Sequence, residues 1–230
     1  MKKAIWSRIG PVTGLLFLAL LLGGAFIHGY PDIRPTDKQL ASWLASVDPN
    51  RFKIAVYIEA LGTVLFIPFA VWLYRHLRQG APGSSQPALV MLAGSVLWVS
   101  LTLPINQGWV GLLEQARRGL DIHVAQTVVS INQTWFDMTG IVLGLILAAA
   151  GVSILRGGVM SRWAGGVAIV IGLAQAASTP FGTDSTPAGL LAYVWLLGVA
   201  GYYTFRPARP RELARGSAQP PVASGLPATR

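Results

Sequence analysis

The chain contains no cysteine, which excludes disulfides, thiolate metal sites and cysteine nucleophiles and leaves the redox compartment open. Charge is scarce too: 12% of residues are charged, where a soluble domain carries about a quarter. There are three histidines, His28, His76 and His123. Without an HExxH pair or a thiol they offer no zinc site, and haem would need axial ligands at matched depths. No solenoid-period repeat is visible, and no serine–histidine or serine–lysine pair is placed within an apolar block. No cofactor is expected.

What the chain has is apolar sequence gathered in blocks, 53% hydrophobic overall with a mean hydropathy of +0.53. A net charge of +9 points to nucleic acid only when it forms a basic face on a soluble fold. Here the basic residues lie between apolar blocks and in the last 25 residues, so the partner is the lipid bilayer and not a nucleic acid. Six blocks approach the roughly 20 apolar residues that cross about 30 Å of hydrocarbon: Pro11–Ile27, Phe52–Tyr74, Ala88–Trp109, Trp135–Leu155, Trp163–Thr179 and Ala188–Phe205. Each must be helical, because backbone groups in lipid need partners within their own segment unless a barrel closes. Runs such as Leu15–Leu22 lack the alternation of a barrel strand. Lys2, Lys3 and the first block also fit a secretory signal. Gly23–Ile27, however, has no clean small-x-small cleavage site, so the block reads as an uncleaved span.

The expected fold is therefore all-α, a polytopic bundle of six transmembrane helices over residues 1–205. A disordered basic cytoplasmic tail, 206–230, follows it. Its arginines beside the last span are placed to contact anionic lipid headgroups. Orientation comes from lysine and arginine. With the N-terminus inside, twelve of the eighteen basic residues fall on the cytoplasmic side with Glu212 as the one acid there, and six fall outside with six acids. Both termini are expected in the cytoplasm. In the first outer loop, Thr36 and Gln39 make a capping box, and Leu40, Trp43, Leu44 and Val47 follow at helical spacing. A short amphipathic helix is expected there, on the membrane surface or capping the bundle, and it reads as a packing lid rather than a gate.

Two acids lie inside spans, Glu59 and Asp137. A charge in a span is costly, faces the bundle interior and often marks function. Gly140, Gly144, Ala148 and Gly151 follow Asp137 as a small-residue stripe, and Glu59 shares a face with Gly62 and Thr63. At 1.5 Å per residue, Glu59 lies roughly 22 Å from Tyr74, Asp137 roughly 27 Å from Leu155 and Gln175 roughly 18 Å from Trp163. All three fall in the outer half, where Asn106 and Asn132 also sit. These five residues are the candidate ligand- or proton-binding set. The competing reading is that the acids reach water or pair with Arg51, Arg117 or Arg118 and have no role. Ile105–Trp109 and Ile131–Trp135 echo one another (Ile-Asn-Gln-x-Trp), so their amides are expected to bond across the helix pair, with tryptophans at headgroup level. Gly157-Gly158 and Gly165-Gly166 lack a phosphate-loop context and read as turn and packing features.

Leu44-Ala45-Ser46-Val47-Asp48-Pro49-Asn50-Arg51-Phe52, Tyr57-Ile58-Glu59-Ala60-Leu61, Phe66-Ile67-Pro68-Phe69, Leu73-Tyr74-Arg75-His76-Leu77-Arg78 and Arg162-Trp163-Ala164-Gly165-Gly166 together form a recognisable pattern. Over about residues 10–205 it resembles a broad group of uncharacterised bacterial six-span membrane proteins that carry a domain of unknown function. The resemblance implies a bacterial inner-membrane location and brings no activity or site residues. The expected function is non-enzymatic, whether structural, sensory or accessory, with an outward-facing polar pocket near Glu59 and Asp137. The alternatives are a small proton-coupled secondary transporter, for which Pro68 and Pro104 would mark broken helices, and a membrane enzyme acting on a lipid or quinone.

Overall fold

The computed structural model describes residues 2–31, 34–80, 82–178 and 186–205, with backbone alone for 2–8, 28, 82 and 186. The expected tail, 206–230, lies outside the described residues. The described residues form seven α-helices and a short 3-10 turn at Pro82–Ser84: α1 (Lys2–His28), α2 (Asp37–Ser46), α3 (Pro49–Leu77), α4 (Ser85–Ala116), α5 (Ile122–Gly157), α6 (Arg162–Ser178) and α7 (Thr186–Phe205).

Local chemistry sets several boundaries. Thr36 caps α2 with the full reciprocal box to Gln39. Asp48 caps α3 by accepting from the Asn50 N–H at 2.9 Å, with Pro49 at the first helical position, where its missing N–H costs nothing. Asp121 caps α5 through the His123 N–H at 2.8 Å. Gly158 ends α5 in the left-handed region, φ 64°, which a residue without Cβ enters freely.

Five helices, all but α2 and α6, are long and apolar enough to cross a membrane. Large apolar side chains stand outward along them, among them Phe26, Leu89, Phe136, Val194 and Phe205. Water would penalise such a surface, and lipid does not, so this is a membrane-embedded helical protein. Pro68 and Pro104 both lie inside continuous helices, so neither α3 nor α4 is broken at them.

The helices pack as a ring in which α1 meets α3, α3 meets α4, α4 meets α5, α5 meets α6, and α7 returns to α1. Neighbours run antiparallel. Gly10 abuts Trp72 while Gly24 abuts Glu59, and Gly94 abuts Ile146 while Gly108 abuts Asn132. Along α5 and α6, Gly144 meets Gly172 and Gly151 meets Gly165, so the stripe after Asp137 brings two backbones together. The ring is filled by aromatics: Phe17 of α1 lies 4.9 Å from Phe66 of α3 and 6.0 Å from Trp98 of α4. The α4–α5 hairpin is longer than a bilayer core requires. Its 32- and 36-residue helices extend roughly 48 and 54 Å. Its projecting end forms a second core with α2, in which Leu40 is fully buried against Phe52, Trp109, Leu113 and Val129. Gln126 Nε2 also donates to the Pro35 carbonyl there.

Candidate functional site: a polar layer and a cavity beneath it

Several buried hydroxyls satisfy themselves on their own helix, whereas Ser153 of α5 donates across to the Ser84 carbonyl at 2.8 Å. Thr63 donates to the Glu59 carbonyl at 2.9 Å, Ser95 to Met91 at 2.8 Å and Thr102 to Trp98 at 2.8 Å, each closing onto its own helix four residues back. The longer polar side chains cannot fold back so tightly, and they are the ones that gather.

Glu59 is 4% exposed. A Cβ at Gly24 would run into its side chain, so glycine at that point of α1 makes its room. The Tyr30 hydroxyl, on the segment after α1, donates to Glu59 Oε2 at 2.7 Å. Tyr30 as a whole is 37% exposed, yet its hydroxyl is turned inward to Glu59. Burial first, then the charge of Glu59 and the hydrogen bond to it, raise that phenol well above the usual tyrosine range. Above Glu59 the Tyr30 ring packs 6.2 Å from Phe52 and 5.5 Å from Trp109, and Trp43 of α2 lies 5.6 and 6.1 Å from the same two rings. These four aromatics form a cap.

Register places the other candidates. Phe66 and Trp98 face each other at 5.3 Å. Glu59 is seven residues from the first and Asn106 eight from the second, so both stand roughly 11 Å toward the α2 end. Asn132 packs against Gly108, within a turn of that level. Asp137 lies five residues further along α5, roughly 7.5 Å, half-buried. It shares the α6-facing side of α5 with Gly144 but stands beyond the described end of α6. The Nδ2 donors of Asn106 and Asn132 are buried without hydrogen-bond partners, so the expected amide bond across α4 and α5 is not formed. Asn132 is taken up by Gly108, and Gln133 Oε1 accepts from the Arg34 N–H at 3.2 Å. Of the two tryptophans, Trp109 is buried, covered by Tyr30 and Trp43, whereas Trp135 is exposed.

Gln175 stands apart. It lines a cavity of about 120 Å3 between α4, α5, α6 and α7, with Trp98, Thr139, Gly140, Gly189 and Tyr193. Neither Glu59 nor Asp137 lines it, so the five candidates do not share one pocket. The structure joins Glu59, Asn106 and Asn132 in a layer and sets Gln175 beneath. Tyr193 of α7 lines that cavity, and its ring lies 6.5 Å from Phe17 of α1. Among the described residues no three His, Asp or Glu side chains gather as a metal site would require. A more open cleft of about 310 Å3 at the α2 end is lined by Lys53, Glu114, Arg117 and Arg118, with a 3.1 Å Lys53–Glu114 ion pair.

Sequence reasoning missed Tyr30, Trp98 and Tyr193. The tyrosines carried a signal, a polar tip beside or within an apolar span; Trp98 carried none. Set against known protein families, curated proteins and solved structures, the chain matches none of them.

Proposed function

We propose that this chain is a six-span protein of a bacterial inner membrane with both ends in the cytoplasm. It acts without catalysis, as a sensory or accessory component that takes a proton or small cation at Glu59 from the outer side. The sixth span is α6. Its 17 residues reach roughly 25 Å, short of a full crossing, but it runs antiparallel along α5 and must return the chain to the α2 end where α7 begins. An even number of spans then leaves α1 starting and α7 ending on one side, consistent with His76 Nε2 lying 2.9 Å from the Tyr203 hydroxyl near the end of α7. The excess of basic residues assigns that side to the cytoplasm, which turns α2 and the aromatic cap outward.

The observation that carries the functional reading is the buried Glu59 carboxyl beneath an aromatic roof. A carboxyl group beside aromatic faces is suited to a cation, and Tyr30 blocks the approach. The test is tryptophan emission in nanodiscs, with Trp43 and Trp109 two of the eight emitters and Trp43→Phe/Trp109→Phe as the control for their share, while outer pH, Na+ or tetramethylammonium is varied. A saturable response in the native chain that is lost in Glu59→Gln is expected. A response unchanged by Glu59→Gln would remove this residue as the receptor.

A further inference from the structure

The cavity beneath the polar layer has a composition that specifies an occupant. Gln175 is 4% exposed and lines it, and its Oε1 is buried without a hydrogen-bond partner. A buried acceptor left unpaired is unfavourable, so a group that donates to it is favoured. The oxygen lies on the α7 side of the cavity, for a Cβ added at Gly189 would stand 3.6 Å from it, in ordinary contact, with no other atom within 4 Å. The remaining wall is mostly apolar or aromatic, with Trp98, Leu143 and Tyr193, and Thr139 adds a hydroxyl already bonded to the Phe136 carbonyl.

The volume and the mouth narrow the class further. An apolar cavity of about 150 Å3 holds benzene, and this one of about 120 Å3 is open on one side, so it admits a single-ring ligand whose edge can protrude. Phe136 and Leu190 border the cavity and are 58% and 55% exposed, so its opening is apolar and faces lipid. An ion would lose its hydration on that path at great cost, whereas a neutral amphiphile already dissolved in the bilayer would not.

We infer that this cavity binds a small neutral amphiphile of phenol size that enters from the hydrocarbon and donates one O–H or N–H to Gln175 Oε1. The inference rests on the membrane-embedded reading of the bundle and not on cation binding at Glu59. Failure of one leaves the other standing.

The test uses the full chain in nanodiscs, with phenol and its methyl ether anisole as probes and empty nanodiscs as the blank for partitioning. Phenol is expected to bind saturably and at least tenfold more tightly than anisole. Gln175→Leu should erase that preference, since leucine offers no acceptor. It removes an unsatisfied buried amide, so the variant is expected to fold with undiminished thermal stability. Gly189→Leu, which fills the cavity from the α7 side, should abolish binding of both probes. Phenol uptake no greater than in empty nanodiscs would overturn the proposal. So would a phenol preference that survives Gln175→Leu, or binding untouched by Gly189→Leu in a protein that remains monodisperse.

Discussion

The Tyr30 hydroxyl donates to Glu59 Oε2 over 2.7 Å, and this bond ties the segment after α1 to the middle of α3. Removing a donor from a buried carboxyl costs about 1–3 kcal/mol. Tyr30→Phe should therefore lower thermal stability in detergent at neutral pH, read by circular dichroism. The pH dependence has a definite sign. A tyrosine raised above its ordinary value of about 10 keeps its proton in the folded state where the unfolded chain releases it, so the native state binds more protons. Stability must then fall as pH rises beyond about 10. Tyr30→Phe should flatten that fall, and equal alkaline slopes in the two proteins would show that Tyr30 does not contribute.

The α5–α6 contact makes a second prediction. A Cβ at Gly144 would stand 2.5 Å from the Gly172 carbonyl oxygen, a backbone atom with no rotamer to yield. Gly144→Ala should destabilise the protein by about 1–3 kcal/mol, as overpacking does. Gly166, with nothing within 4 Å of its would-be Cβ, is the control: Gly166→Ala should be neutral or stabilising by up to about 1 kcal/mol, the gain in helix propensity. If Gly144→Ala unfolds no earlier than the control in a thermal ramp, the close approach is not what holds α6.

Topology supplies the third. Reporters fused after Gly80 and after Gly119 should read cytoplasmic and external respectively. These positions follow α3 and α4, so they must lie on opposite sides if α4 crosses. An external signal at Gly80 would invert the orientation, and equal signals at both would remove α4 as a span.

Much of the architecture was legible in the chain because lipid imposes a blunt rule. A segment in hydrocarbon must be apolar and must satisfy its own backbone, and the blocks from Phe52 to Leu155 announce this without reference to any partner. One cap was equally readable: Thr36 with Gln39 acts within four residues of itself. Helix ends were less so. The expected third and fourth blocks stopped at Trp109 and began at Trp135, whereas α4 runs to Ala116 and α5 starts at Ile122. Hydropathy falls at the bilayer boundary, but a helix continues wherever another surface covers it, and here α2 and Leu40 do so.

The sequence by itself determined that this is a helical membrane protein, with Glu59 as a costly acid that needs shelter and glycines spaced for close packing. Each of those follows from the solvent and from local spacing. Only the tertiary structure decided that Tyr30, 29 residues away, reaches Glu59. Only it showed that Asn106 and Asn132 do not bond to each other and that Gln175 belongs to a separate cavity. Which side chains meet across a ring of helices depends on register and rotation between elements far apart in the chain, and no short-range pattern encodes those.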